Sequence, residues 1–433
     1  MRMYDIIDKK KKGKELTKEE ISFFVSGVCQ NTIPDYQITA LLMAICFRGM
    51  TDEETTCLTY YMANSGNTVD LSLFKDLSVD KHSTGGVGDK TTLIVAPIVA
   101  ASGLKVAKMS GRGLGFTGGT IDKLESIKGY NVNLTSKEFL RQVEDIGVSV
   151  VSQSGNLTPA DKKIYSLRDS TATVDSIPLI ASSVMSKKLA AGSKNIVLDV
   201  KMGSGAFVKN LDDAVLLAEK MVNIGKNCNR NTAAVISNMN QPLGYAIGNS
   251  LEVIEAINTL KEPKKNDLTE ICLSLSAIML SLSFGISENE ARKKAEESLY
   301  SKKAFSTFKE WIKAQGGEEA FIDDTELFPK AKYSLNVTTE NDGYISFMDC
   351  EKIGIAASTL GAGRTQKDSE LDYAAGVVVC KKTGEFVKVG EPLATLYTND
   401  ESFLKDAEKL YKDAVCITDI KPEHTPLILK IIR

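Results

Sequence analysis

The chain has 433 residues, which is too many for one ordinary hydrophobic core and predicts two or three domains. Its 53 Lys and Arg nearly balance its 56 Asp and Glu, so the net charge of -3 supplies no basic field to hold nucleic acid. The N-terminus, MRMYDIIDKKKKGKEL, lacks the apolar stretch of a signal peptide, and the eight dispersed cysteines indicate reduced thiols. We expect a cytoplasmic protein that binds neither nucleic acid nor membrane.

Helix signals follow one another from residue 14 to residue 66. Thr17 and Glu20 are spaced as a capping box before an apolar helical face, and Thr51 and Glu54 repeat that spacing. Another helix follows Pro34. The chain therefore begins with an all-helical unit.

From about residue 78 the pattern changes to short β-type runs, Gly-rich turns and intervening helices, which favours an α/β sheet. Two helical stretches, 159–168 and 178–190, interrupt the alternation. The pattern leaves open whether they pack on the sheet or return to the N-terminal helices.

Residues 247–320 predict further helices, and short strands follow from about residue 333. The turns KKTGE and VGEP suggest β-hairpins there. We therefore expect a small C-terminal α/β domain.

The segment VDKHSTGGVGDKTT, residues 79–92, carries the chemistry of an anion-binding loop. Glycines let backbone N–H groups approach an anion, and the following helix N-terminus adds partial positive charge. A nucleotide-binding P-loop has Lys directly after its last glycine, whereas Asp89 here separates Gly88 from Lys90. Phosphate is the expected guest.

A second loop, AKMSGRGLGFTGGTIDKLES at residues 107–126, repeats this chemistry after a β run. Its cationic and hydroxyl side chains are Lys108, Ser110, Arg112, Thr117 and Thr120. Two such loops in one α/β domain suit an anion held from two sides at the strand ends.

His82 lies inside the first loop and is one of only two histidines, with His424 near the C-terminus. A lone histidine is more often structural than functional. Its place within the anion loop reverses that expectation.

The segment 158–192 contains a second polar constellation. If 178–190 is helical, Ser183 and Lys187 project from one face at i and i+4. Asp161, Tyr165 and Arg168 share a face of the preceding helix. The donors of Arg168 and Lys187 suit the carbonyl oxygens of a heterocycle, whereas in isolation the same stretch equally fits a solvated charged helix.

Four motifs together resemble the thymidine and pyrimidine-nucleoside phosphorylases, nearly end to end. They are KHSTGGVGDK, SGRGLGFTGGTIDKLES, PADKKIYSLRDSTATVDSIPLIASSVMSKKLA and DVKMGSGAF. The resemblance implies a pentosyltransferase that reversibly cleaves uridine, deoxyuridine or thymidine with phosphate, by direct displacement at C1′. It further implies a homodimer formed through the helical domains, with the site in a cleft that closes on both substrates.

The fold class implied is α/β, with a small all-helical domain, a larger α/β domain with a central mixed sheet, and a C-terminal α/β hammerhead-like domain. The expected boundaries are 1–68 with 162–192 for the helical domain, 69–161 with 193–330 for the phosphate-binding domain, and 331–433 for the C-terminal domain.

The family's functional residues fall on matching positions of this sequence. The phosphate site maps to Lys81, His82, Ser83, Thr92, Lys108, Met109, Ser110 and Thr120. The base site maps to His82, Arg168, Ser183 and Lys187, of which His82, Arg168 and Lys187 are the expected catalytic residues. In this scheme protonated His82 donates to O2 of the base.

The resemblance also implies a potassium ion, and no organic cofactor. Its expected ligands are Gly88, Lys90, Leu243, Ala246 and Glu255. Lys90 departs from the small hydroxyl residue of relatives, and its ammonium can compete with the cation. Phe116 replaces a common His, which removes a polar group near the sugar or base.

Two other functions compete with this interpretation. Anthranilate phosphoribosyltransferase shares the general two-domain fold, but it needs an acidic Mg²⁺-pyrophosphate site. The hairpin-like segment GVVVCKKTGEFVKVGEPLATLYT resembles biotinyl and lipoyl carrier domains, although its KKTGE turn matches their modified lysine poorly.

Overall fold

The computed structural model describes residues 1–113, 115–153, 156–364 and 370–433, so Leu114 of the SGRGLG motif lies outside the described residues. The helices are α1 (Met3–Lys11), α2 (Lys18–Cys29), α3 (Asp35–Arg48), α4 (Asp52–Ala63), α5 (Thr91–Ala101), α6 (Thr120–Glu125), α7 (Ser136–Ile146), α8 (Pro159–Ser170), α9 (Ile177–Ala190), α10 (Leu211–Asn227), α11 (Asn249–Lys261), α12 (Asp267–Phe284), α13 (Glu288–Tyr300), α14 (Lys303–Ala314), α15 (Ala320–Asp323), α16 (Cys350–Ala357) and α17 (Leu404–Lys412). The strands are β1 (Ser78–Ser83), β2 (Lys105–Ser110), β3 (Val148–Ser152), β4 (Asn195–Met202), β5 (Asn231–Asn238), β6 (Ala246–Gly248), β7 (Tyr333–Thr338), β8 (Gly343–Met348), β9 (Gly376–Val379), β10 (Phe386–Val387), β11 (Pro392–Thr398), β12 (Val415–Thr418) and β13 (Ile428–Ile432).

The N-terminal helices form a unit with its own apolar core. Both expected capping boxes are present, at the starts of α2 and α4, where they satisfy backbone N–H groups that the helix leaves free. Ala160 and Ile164 of α8 lie in this core, so α8 returns to the helical unit. Helix α9 joins two cores, because Leu179 packs in the helical unit while Met185 packs with β4 and α10.

The central sheet has the strand order β13-β5-β4-β1-β2-β3. The strands β1 to β5 run parallel, and β13 pairs antiparallel with β5, which confirms the expected mixed sheet. The two Gly-rich loops follow β1 and β2, which are neighbours. Parallel strands end at the same edge of a sheet, so both loops meet there.

The predicted C-terminal hairpins are wrong. Strand β9 pairs with β11, and the intervening β10 pairs with β8 in another sheet. The turns KKTGE and VGEP therefore carry the chain between sheets. Turn residues favour a reversal of the chain, but the pairing of the flanking strands depends on the surfaces available to them in the folded protein.

The C-terminal unit also exchanges strands with the rest of the chain. Strand β6 of the preceding domain pairs with β9. Strand β13, although it belongs to residues 331–433, pairs with β5 and so extends the central sheet. Strand pairing therefore crosses the expected boundary between residues 330 and 331. The unpaired edge of β5, with which β13 pairs, exists only once the central sheet has formed.

Helix α12 is, within the part of the chain that the structure describes, the one helix long and apolar enough to qualify as a membrane span by length and composition. Its 18-residue window is 67% buried inside the protein. There it packs against α5, α13 and β4, which is the environment of a core helix.

Candidate active site

A cavity of about 200 Å³ opens where the two Gly-rich loops meet. It lies at the carboxyl ends of β1 and β2 and beside the first turn of α5, whose free N–H groups favour an anion. Seven of the eight predicted phosphate residues line it, namely His82, Ser83, Thr92, Lys108, Met109, Ser110 and Thr120. The sheet thus brings together residues that are up to 38 positions apart in the sequence.

The second loop is shaped by a close crossing of its own backbone. A Cβ atom on Gly119 would lie 2.1 Å from the Gly113 nitrogen, so only glycine fits there. The Gly113 N–H donates to Asp122 Oδ2 over 2.6 Å, which fixes the crossing. This places Thr120 at the start of α6, facing the cavity.

A buried ion triad lies beneath the cavity. Asp80 is fully buried in β1, and its carboxylate oxygens pair with Lys108 at 3.2 Å and Lys188 at 2.6 Å. Burial lowers the pKa of Lys108 to about 8, although Asp80 opposes the shift. Lys188 also lines the cavity, so two ammonium groups that share one carboxylate face an incoming anion.

We expect phosphate to bind more weakly as the pH rises above about 8. Above this pH the Lys108 ammonium of the free enzyme loses its proton, whereas bound phosphate favours the protonated ammonium. Because one proton is linked to binding, the affinity for phosphate falls by at most about tenfold per pH unit. Inorganic phosphate is already the dianion in this range. The phosphate Kd from pH 7.5 to 9.5 checks this, with Lys108→Arg as the always-charged control; equal slopes in both proteins would contradict it.

Lys81 is the predicted phosphate residue that does not line the cavity. Successive side chains of a strand point to opposite faces, so the Lys81 and His82 side chains diverge. The Lys81 ammonium lies 3.4 Å from Asp199, 3.8 Å from Asp89, and donates to Thr91. In this structure Lys81 therefore forms ion pairs with Asp89 and Asp199 instead of facing the cavity.

His82 lies half-buried at the edge of the cavity. Burial, and then the ammonium groups of Lys188, Lys108 and Lys187, lower its pKa well below the usual value. The imidazole is therefore neutral at neutral pH before phosphate binds. The neutral imidazole has one ring N–H to donate. The protonated His82 implied by the resemblance concerns the complex with phosphate and stays a prediction.

The expected polar pair on α9 is present. Lys187 Nζ donates to Ser183 Oγ over 3.0 Å and pairs with Asp161 Oδ2 at 2.6 Å. It also lies 6.0 Å from the centre of the Tyr165 ring. The Lys187 side chain remains 26% exposed, so its ammonium can reach a ligand.

Arg168 lies on α8, where its guanidinium is 5.9 Å from the centre of the Tyr165 ring, and it is 1% exposed. Its guanidinium donates to the carbonyl oxygens of Thr173, Val174 and Leu179, at 3.1, 2.6 and 3.1 Å. These contacts brace the turn between α8 and α9. The buried guanidinium does not line the cavity in this structure, so its contact with a heterocycle stays a prediction.

Phe116 packs beside the cavity. Its ring lies 6.0 Å from that of Phe207, which lines the cavity, and 5.7 Å from the Lys209 ammonium. The aromatic ring thus supplies apolar contact where a histidine would supply a hydrogen bond.

The expected potassium ligands meet in space, but around an ammonium group. Lys90 Nζ donates to the carbonyl oxygens of Leu243 at 2.9 Å and Ala246 at 2.8 Å, and to Glu255 Oε2 at 2.6 Å. Gly88 packs against the same Leu243 oxygen. The residues present therefore do not fit a potassium ion, because the oxygen atoms of Leu243, Ala246 and Glu255 that would bind the ion already accept hydrogen bonds from Lys90.

Sequence reasoning did not assign roles to Asp80, Lys188 and Asp199. Each is a charged residue in or beside an apolar segment that forms a buried strand or helix, and each pairs with a buried partner of opposite charge. That placement is the signal that could have found them, since unpaired charges are almost never fully buried.

Three family models match the chain. They describe a glycosyl transferase family helical bundle domain (residues 4–66), a glycosyl transferase family a/b domain (residues 75–305) and a pyrimidine nucleoside phosphorylase C-terminal domain (residues 344–418). An anthranilate phosphoribosyltransferase from Thermus thermophilus superposes with a TM-score of 0.59 over 71% of this chain and 98% of its own, at 17% identity. That likeness shows the fold alone. The a/b domain model matches more than half of the chain and places it in the glycosyl transferase family.

Curated relatives narrow this class. A protein named pyrimidine-nucleoside phosphorylase from Staphylococcus epidermidis (strain ATCC 12228) is 54% identical over 100% of both chains. Those of Geobacillus stearothermophilus (54% identical, over 95% of this chain and 96% of its own) and Bacillus subtilis strain 168 (55%, over 95% of each) carry the same name. The chain belongs to the pyrimidine-nucleoside phosphorylase family.

Proposed function

We propose that the protein catalyses the reversible phosphorolysis of uridine, deoxyuridine and thymidine to free base and (deoxy)ribose 1-phosphate. One observation carries the proposal: helix α9 links the two halves of the site. Its Lys188 lines the phosphate cavity, while the adjacent Lys187 and Ser183 form the face that suits a pyrimidine. Two substrates are thereby held against one rigid element.

Phosphate binds beneath C1′ of the sugar. The hydroxyls of Ser83, Thr92, Ser110 and Thr120, the main chain at Met109 and the Lys108 ammonium surround it. Lys81 supports this loop from behind through Asp89 and Asp199.

The base departs as negative charge develops on its ring. Arg168, Ser183 and Lys187 hold it, and Arg168 and Lys187 place positive charge near its oxygens, where such charge is most stabilising. His82 lies between phosphate and base and donates a ring N–H to O2. The reaction is a direct displacement that needs no covalent nucleophile.

The site lies between the helical unit and the sheet, and we propose that closure of this cleft brings the substrates together. We also propose a cytoplasmic homodimer formed through the helical domain. Large apolar side chains on its surface support that interface, with Tyr36 73% exposed and Phe47 81% exposed on α3.

The test is product stereochemistry. Incubation of each β-nucleoside with enzyme should release base only when phosphate is present. Direct displacement inverts C1′, so phosphorus and proton NMR should show the α-configured sugar 1-phosphate. A β-configured product would rule out direct displacement, and release of base without phosphate would rule out phosphorolysis.

A further inference from the structure

Lys90 ends the first Gly-rich loop, directly before α5. Its side chain is fully buried, and its three ammonium hydrogens match three oxygen acceptors, from Leu243, Ala246 and Glu255. Glu255 lies on α11 and also accepts the backbone N–H groups of Tyr245 and Ala246, each over 2.8 Å. The ammonium therefore ties three segments together: the start of α5, the segment from Leu243 to the first residue of β6, and α11.

The backbone is shaped to this contact. Gly88 has φ +75°, and a Cβ atom there would lie 2.6 Å from the Leu243 oxygen that accepts from Lys90. The turn therefore approaches the phosphate loop closely enough for Lys90 to span the gap. Asp89 and Thr92, on either side of Lys90 and Thr91, line the phosphate cavity. The hydrogen bonds that fix Lys90 therefore also fix the positions of Asp89 and Thr92 in the cavity.

The charges around Lys90 already balance. A second buried ammonium, Lys382, donates to the Pro242 oxygen over 3.0 Å and pairs with Asp267. Burial lowers the pKa of Lys382, and Lys90 contributes to that shift. Two ammonium groups thus face two carboxylates, Glu255 and Asp267. An added metal ion would bring a buried charge without a partner, which is costly.

We propose that the Lys90 ammonium is a covalently attached substitute for a bound monovalent cation, so that this enzyme needs no potassium to hold its phosphate loop. An ammonium group is close to potassium in size and charge and prefers the same carbonyl and carboxylate oxygens. Since Lys90 never dissociates, the loop stays ordered whatever the salt. This proposal rests on the proposed function, and it adds that the enzyme is active in the absence of potassium.

The first experiment uses the unaltered enzyme. Its melting temperature is measured in potassium nitrate and in tetramethylammonium nitrate of equal ionic strength. Its binding of thallium(I), as a potassium mimic, is measured in the tetramethylammonium salt. We expect the same melting temperature in both salts and no saturable thallium binding. A higher melting temperature in potassium, or a bound thallium ion, would overturn the proposal. Neither readout requires phosphorolysis, so failure of the proposed function is seen separately as absent base release in both salts.

Two variants sharpen the test. Lys90→Thr removes the ammonium but leaves space and a hydroxyl among the same oxygens, whereas Lys90→Met fills the space with an uncharged chain. In tetramethylammonium both should lose about 5–10 °C in melting temperature, because the Glu255 carboxylate loses its cation and two carbonyl oxygens lose their donor. Only Lys90→Thr should regain stability as potassium is added, with saturation. Equal responses of the two variants to potassium would contradict the proposal, and if neither folds, the unaltered enzyme still decides it.

Discussion

Lys187→Ala is expected to reduce kcat/KM for uridine phosphorolysis by about 100- to 1,000-fold, the usual cost of losing one donor aimed at developing negative charge. The ammonium is held in place by Asp161 and Ser183 and remains partly exposed toward the cleft. In the proposed mechanism it faces a base oxygen whose charge grows as the C1′–N1 bond breaks. Steady-state kinetics with uridine and phosphate varied separately measure the loss.

The same substitution leaves the buried Asp161 carboxylate without its cation, so catalysis must be separated from folding. Thermal unfolding of the variant provides that separation, and Lys162→Ala, an exposed lysine on the adjacent α8, is the matched control. We expect the control to match the unaltered enzyme in rate. A Lys187→Ala enzyme that is folded and retains near-normal turnover would remove Lys187 from the site.

Asp80→Asn is expected to lower the free energy of unfolding by about 3–5 kcal/mol at neutral pH, because it leaves two buried ammonium groups without their shared carboxylate. Asp80 is fully buried, and it pairs with Lys188 at 2.6 Å and Lys108 at 3.2 Å. Those two ammonium groups outweigh the effect of burial and keep the pKa of Asp80 below its usual value. Denaturant unfolding measures the change.

The control for this variant is Asp76→Asn, the same substitution at an exposed position just before β1. Surface changes of this kind usually alter stability by less than about 0.5 kcal/mol. The Asp80 variant should also bind phosphate less tightly, since without Asp80 the pKa of Lys108 falls further. An Asp80→Asn enzyme as stable as the Asp76→Asn control would show that the triad does not support the fold.

Part of the fold and part of the site could be predicted from residues that are close together in the sequence. The capping boxes at Thr17 and Thr51 formed as predicted, since a cap depends on residues three positions apart. The Ser183–Lys187 pair formed because helical spacing alone brings i and i+4 together. The two Gly-rich loops met because neighbouring parallel strands end at one edge.

Other features depend on contacts between distant segments. The partners of β9, β10 and β13 were set by which sheet edges the fold left open, which no turn motif encodes. The Lys81 ammonium pairs with Asp199 of the neighbouring β4, a partner that the alternation of side chains along β1 does not identify. The pKa of His82 depends on lysines from β2 and α9 as well as on burial.

The sequence by itself determined the class of chemistry, since glycines, hydroxyls and lysines in two loops define an anion site whatever surrounds them. Only the tertiary structure decided which of these groups face the anion and in which charge state. It also decided that the Lys90 ammonium lies among the oxygens of Leu243, Ala246 and Glu255. The reason is physical: local backbone patterns have a short range, whereas burial and the pairing of charges are properties of the whole folded chain.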